Sequence, residues 1–367
     1  MGRTLILGLL ALGCAPKAPP SSAQLAEELG FGTTPRLHSA TSAAYVVVGT
    51  VSRDPVIGPL TRGRTADAAL SGAASGLALA LAEESGGMAR WELREALWRA
   101  GWAHPVYDAR GWSALASMPP PPEVFAWLDG LAEDEPFGLA RARGRNADAW
   151  VGVRARDPVD LGALPRVAAV GTPLVLPPVA GATWRAADGR GEVREGALDA
   201  GATLLLATAG EWIVEVRQDR KELARFPVYV GMEPPTTPLL RLPEAVGEVT
   251  GSEDARARAL ALLEHVRRVY DAAPWKPSPV LDLAVSRYLQ DPDAGSAKAL
   301  ADLGFPAARG VVWACDDTTV ENCVDGWVWD VRRRAALVGA AYDSLGLVAT
   351  VDRDGVHLTA LLAGTER

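Results

Sequence analysis

Val324-Asp325-Gly326-Trp327-Val328-Trp329-Asp330-Val331-Arg332-Arg333-Arg334-Ala335-Ala336-Leu337, with Leu345-Gly346-Leu347 beginning eight residues later, decides the reading of the fold. The apolar spacing over 331–341 predicts a helix. Beyond it, 345–351 and 356–362 predict a closing hairpin that turns at Asp354-Gly355. The same outline occurs earlier in the chain. Leu97-Trp98-Arg99-Ala100-Gly101-Trp102 matches Leu300-Ala301-Asp302-Leu303-Gly304-Phe305 in pattern, and each leads to a hairpin whose first strand reads Phe137-Gly138-Leu139 or Leu345-Gly346-Leu347. A degenerate internal duplication is expected.

Working outward, 45–48 is a candidate strand, while 67–84, 90–100 and 123–131 read as helices, the second stopped by Gly101. A hairpin over 137–142 and 149–153 closes this first block, 35–160. The block 161–235 has a different texture: short β-rich runs at 173–176, 183–186, 192–194, 203–207, 212–217 and 224–230, separated by turn signals such as Asp188-Gly189. The alternation from Gly210 to Val216 places Trp212, Val214 and Val216 on one face. An immunoglobulin-like β-sandwich is expected here. The third block, 239–367, begins with an amphipathic helix over 253–270 whose Arg256, Arg258, Glu264 and Arg267 lie largely off the apolar stripe. Helices at 280–289 and 296–303 follow.

The chain has 367 residues, 49% apolar and 22% charged, an ordinary composition for folded protein of two or three domains. Its net charge of −8 disfavours nucleic acid as a main partner. No apolar run approaches the roughly 18 residues of a spanning helix. Four histidines and three cysteines leave little material for a multi-ligand zinc site.

The last third of the chain resembles the CAP superfamily (cysteine-rich secretory proteins, venom antigens, pathogenesis-related proteins) in its divergent bacterial form. Arg334, Leu337, Tyr342 and Gly346 fall on that family's Arg, Leu, aromatic and Gly without a gap. The resemblance implies an α-β-α sandwich around a small antiparallel sheet. The expected fold is therefore α+β and multidomain: two CAP-like α-β-α units, the N-terminal one degenerate, flanking the small sandwich. In the family, paired histidines can bind a divalent metal. Here Arg333 stands at the second position, and the segment that should carry the first, Gln290 to Gly295, has no histidine. Arginine stays protonated and cannot ligate a cation, so no metal and no other cofactor is expected.

At the start of the chain, Arg3 precedes the apolar run Leu5 to Leu12, a secretory signal pattern. It ends in Ala11-Leu12-Gly13-Cys14, which resembles the lipobox of bacterial lipoproteins. By that resemblance 1–13 is a signal peptide, Cys14 carries the acyl chains, and 14–34 is a tether. Anchoring in the bacterial outer membrane, facing the periplasm or the cell surface, is implied. Cys315 and Cys323 remain, and in a compartment that permits disulfides they are expected to bond.

The candidate ligand-binding residues are Arg333 with Trp313, Trp327 and Trp329, whose rings could stack on sugars. The acidic run Asp316-Asp317-Thr318-Thr319-Val320-Glu321 lacks the glycine and spacing of an EF-hand loop. His38 and His104 have no cysteine or carboxylate at metal-ligand spacing in sequence, and His265 and His357 read as lone surface or core histidines rather than ligands. No catalytic residue is assigned. The expected function is non-enzymatic binding of an envelope component (peptidoglycan, a lipid or a protein) through the CAP-like domain. The alternatives are a hydrolase, with or without a metal, in the same cleft, and a sandwich that binds between inert flanking copies.

Overall fold

The computed structural model describes residues 44–45, 57–61, 63–83, 88–116, 118–156, 158–235, 240, 242, 249–304 and 309–364. The signal, Cys14, the tether, His38 and most of the candidate strand 45–48 lie outside them. Strand β1 (Ala44–Tyr45) pairs with β5 (Leu164–Pro165).

The first group contains α1 (Ala68–Ala82), α2 (Arg90–Ala100), β2 (Val106–Leu115), α3 (Pro122–Asp129), β3 (Phe137–Arg143) and β4 (Ala147–Ala155). Asp67 starts α1 by accepting hydrogen bonds from the Ala69 and Leu70 N–H groups at 2.8 and 3.1 Å. Gly101 ends α2 at φ 89°, a left-handed position that costs glycine little. The strands form an antiparallel sheet in the order β2-β4-β3. Its two faces are both covered. Ala140, Ala142, Val151 and Val153 pack with α1 and α2, whereas Phe137, Leu139 and Trp150 pack with Val124 and Trp127 of α3.

The second group is all strand: β6 (Val167–Ala168), β7 (Pro173–Leu176), β8 (Ala182–Ala187), β9 (Val193–Ala197), β10 (Ala202–Leu205), β11 (Gly210–Gln218) and β12 (Lys221–Val230). They form a sheet in the order β6-β12-β11-β8-β9 and a separate β10-β7 pair. Glu211 to Val216 are all buried, so the second face of this central strand is closed to water as well as the face of Trp212, Val214 and Val216. That second face carries Glu215, fully buried and bridged to Arg217 at 2.7 Å and Arg225 at 3.2 Å.

The third group contains α4 (Ser252–Val269), β13 (Lys276–Pro277), α5 (Pro279–Gln290), α6 (Gly295–Ala301), β14 (Arg309–Asp317), α7 (Val320–Trp329), α8 (Val331–Val338), β15 (Ser344–Val351) and β16 (Val356–Gly364). Its sheet runs β13-β15-β16-β14. Strand β16 alternates between two layers: Leu361 and Ala363 meet Leu281, Ala284 and Val285 of α5, while Leu358, Ala360 and Leu362 join the core that holds α4, α7 and α8. Two expectations fail on α4. Arg258 and Arg267 are buried: Arg258 pairs with Glu321, and Arg267 donates to the Leu337 carbonyl at 2.8 Å with its guanidinium 4.0 Å from the Trp275 ring centroid. The helix expected over 331–341 ends at Val338, because the next residue, Gly339, lies in extended conformation against Gly191 of the strand group.

The first and third groups share more than motif. In the first group β2 and β3 flank β4, and in the third β14 and β15 flank β16, every one of these pairs antiparallel, with β13 added in parallel at the edge of β15. The Asp67 N–H donates to the Phe137 carbonyl at 2.8 Å, and the Ser278 N–H donates to the Leu345 carbonyl at 3.4 Å. The next residue in each strand is a glycine seated on the first turn of a helix, Gly138 on Leu70 and Gly346 on Leu281. The sequence match therefore falls on equivalent structural positions.

Candidate functional site

The third group meets the strand group along α8. Residues four apart on a helix share a face, so Arg332, Ala336 and Gly339 look one way with Ala335, and Arg334 looks another. The small side chains allow close approach. A Cβ on Gly191 would lie 2.7 Å from the Gly339 nitrogen. Beside this contact runs a groove of about 770 Å³, walled by Trp313 and Tyr342, with Arg190, Glu195 and Arg332 at its rim. Arg332 bridges the seam by a paired contact to Glu195 at 2.8 Å, and that hydrogen bond is the first cause holding the Glu195 carboxyl below the usual range.

The candidates read from sequence separate here. Trp313 lines the groove. Trp327 and Trp329 are 1% and 5% exposed, packed in the core, and offer no free ring face to a sugar. Trp329 instead stands edge-on to Trp98 of α2 at 4.9 Å between centroids. Arg333 is half-buried and off the groove-lining face; its backbone N–H caps onto Asp330 at 2.9 Å. The groove arginine is its neighbour Arg332, of the same Arg332-Arg333-Arg334 run. The stripe Arg332-Ala335-Ala336-Gly339, large then small at helical spacing, was the available signal.

Arg334 is also not a surface residue. Its guanidinium is fully buried, pairs with Glu211 and lies 4.4 Å from the Tyr270 ring centroid, while the Tyr270 hydroxyl donates to the same Glu211 carboxylate at 2.8 Å. On the other side of the strand group, Arg166 is buried and donates to the Trp98 carbonyl at 2.8 Å. Charged side chains thus tie the three groups together internally.

Cys315 and Cys323 are bonded, with their Cα atoms 5.6 Å apart. The adjoining acidic run is engaged in structural contacts. Asp317 accepts from Asn322 at 3.0 Å and pairs with Arg90 at 3.0 Å, and Asp316 meets His357 at 2.7 Å. His357 also meets Asp352 at 3.0 Å, and these two hydrogen bonds push its pKa up. Among the described residues, no three His, Cys, Asp or Glu side chains gather to hold a metal ion, and no helix is long and apolar enough to cross a membrane.

No protein-family model and no curated protein sequence matches the chain. Solved structures with partial likeness include an outer surface protein of Borrelia burgdorferi, 9% identical over 31% of this chain and 95% of that one, with a TM-score of 0.27. A cysteine-rich secretory protein of Staphylococcus aureus is 13% identical over 43% of this chain and 57% of its own, with a TM-score of 0.28. An extracellular protein of Bacillus anthracis containing an SCP domain is 11% identical over 31% of this chain and 41% of its own, with a TM-score of 0.26.

Proposed function

We propose that the chain is a non-enzymatic lipoprotein of a bacterial outer membrane, anchored through Cys14, that binds an envelope component through the groove between its strand group and its last α/β group. In this reading 35–160 and 239–367 are two CAP-like units, the first degenerate, and 161–235 is an immunoglobulin-like spacer. The ligand is peptidoglycan, a lipid or another envelope protein. The observation that carries the reading is the groove itself, lined by Tyr342 and by Trp313, 8% exposed, together with Arg190 and Arg332. Aromatic faces and guanidinium groups together suit sugar rings that bear carboxylates. The buried carboxylates Glu211 and Glu321 are bridged to arginines, an arrangement that holds structure rather than moving protons.

Two experiments test it. Replacing Cys14→Ser should move the protein from the membrane to the soluble fraction, since an anchor of two or more acyl chains needs that sulfur. Retention in the membrane fraction would remove the lipoprotein assignment. Co-sedimentation with purified peptidoglycan sacculi, or with lipid vesicles, should show binding that Arg332→Ala weakens. If sacculi, vesicles and envelope protein extracts all fail to retain the wild type, the binding reading is wrong.

A further inference from the structure

A second cavity, about 530 Å³, lies on the other side of the strand group, where α2, the start of β2 and strand β12 meet. Its volume is in the range that holds small-molecule ligands. Leu93, Leu97, Trp98, Trp102 and Val106 supply apolar and aromatic wall. The charged residues that line it are compensated. Arg94 holds Asp325 at 2.8 and 2.7 Å, Arg90 holds Asp317 at 3.0 Å, Arg225 holds Glu222, and Asp108 is held by Arg154 at 2.7 Å. An ionic ligand would have to displace one of these pairs.

His104 also lines the cavity. Its Nδ1 lies 3.0 Å from the Leu223 carbonyl oxygen. A carbonyl oxygen only accepts, so Nδ1 carries the proton and Nε2 presents a bare lone pair in the neutral ring. Among the described residues nothing donates to that lone pair. Burial disfavours the imidazolium, which keeps the ring an acceptor at neutral pH.

We propose that this cavity binds an uncharged molecule with an apolar, ring-sized body and one hydroxyl or N–H group, which donates to Nε2 of His104. The balanced charges refuse ions, the walls cover the body, and the one open acceptor sets the orientation. This site is separate from the groove proposed above and stands or falls independently of it.

Three probes of one shape test the claim on the purified full chain at pH 7: 2-naphthol, naphthalene and 2-naphthoate, followed by calorimetry and tryptophan fluorescence. The expected result is one-to-one binding of 2-naphthol, with naphthalene weaker by roughly fivefold, the equivalent of one hydrogen bond of about 1 kcal/mol. The carboxylate should bind more weakly than 2-naphthol. His104→Phe should reduce 2-naphthol to the affinity of naphthalene and leave naphthalene unchanged, while His104→Gln, which keeps an acceptor, should retain part of the preference. Leu93→Trp should block both neutral probes by filling the cavity, without touching His104. Equal affinity for 2-naphthol and naphthalene, tightest binding of the carboxylate, no binding of 2-naphthol, or a His104→Phe protein that keeps the preference would each overturn the proposal. If His104→Phe does not fold, the three-probe order on the wild type and the Leu93→Trp result decide.

Discussion

At the scale of single residues, the informative side chains are polar ones placed where water does not reach. Arg334 is one of three consecutive arginines, and its guanidinium is enclosed by Glu211, Tyr270 and Trp329. Breaking one side of a buried pair leaves an uncompensated charge, so Arg334→Met should cost about 3–5 kcal/mol in denaturant unfolding. The double variant Arg334→Met/Glu211→Gln should recover a large part of that loss. Simple additivity of the two single changes would show that the pair is not coupled. His104 gives a test in pH. Burial lowers its pKa, against an opposing hydrogen bond to the Leu223 carbonyl. Between the lowered folded value and the unfolded value of about 6.5, the unfolded chain binds the extra proton. Stability from this group is therefore complete above about pH 6.5 and falls as the pH drops below it. Thermal unfolding from pH 8 to 5 should show that decline, and His104→Gln should flatten it. An unchanged slope would mean that other groups govern the acid limb.

At the scale of elements, glycines separate two kinds of position. A Cβ on Gly346 would overlap the first turn of α5, 2.6 Å from the Leu281 Cβ, and a Cβ on Gly138 would overlap the Leu70 backbone. Helix and strand must part to admit it, so Gly346→Ala and Gly138→Ala should each destabilise by about 1–3 kcal/mol. Gly326 is exposed within α7, and a Cβ there meets nothing within 4 Å. Gly326→Ala should stabilise by about 0.5–1 kcal/mol through its helix propensity. Denaturant midpoints for the three variants check both signs; a neutral Gly346→Ala would refute the tight strand–helix seat. The helices entered at Asp67, Ser278 and Asp330 were readable in advance because their signals are local: each of these side chains bonds its own first turn, and Gly101 stops α2 through positive φ, whereas α7, capped by Thr319, was not read from the sequence. The repeat of Phe137-Gly138-Leu139 in Leu345-Gly346-Leu347 carried even the equivalence of the two hairpins. What was not readable depended on partners distant in sequence. Trp327 and Trp329 look like ligand platforms until α2 supplies Trp98 to cover one of them. Arg258 and Arg267 look solvated until Glu321 and the Leu337 carbonyl come to meet them. The groove likewise needs Arg190 and Arg332, far apart in the chain, to be set side by side.

At the scale of the whole molecule, the strand group and the last group share one core, and the first group, packed around its own sheet, is keyed into it. The hydrophobic cluster of the strand group continues into α4, α7 and α8, and Trp98 of the first group inserts into it. The β12 backbone is bonded to the first group as well, since the Arg225 N–H donates to the Ala103 carbonyl at 2.8 Å. The first and last groups touch directly through the Arg90–Asp317 pair, the Trp98–Trp329 ring contact and, most extensively, Arg94. It grips Asp325 with both terminal nitrogens, at 2.8 and 2.7 Å, and its guanidinium lies 4.2 Å from the Trp329 ring centroid. A planar, two-pronged contact of this kind fixes orientation as well as distance. The wild type should therefore unfold as one cooperative unit, with a single calorimetric endotherm despite its three groups. Arg94→Ala removes the bridge, the stacking on Trp329 and the compensation of Asp325, which is itself buried. Its expected effect is a loss of about 3–5 kcal/mol and a split endotherm in which the first group melts before the others. Asp325→Ala should produce the same split, because it cuts the same link from the opposite side. The double variant should cost less than the sum of the two, by more than about 0.5 kcal/mol, the usual limit of additivity for independent sites. Two separate endotherms in the wild type would show that the first group melts independently of the others, and additive losses in the double variant would show that Arg94 and Asp325 do not act as a pair.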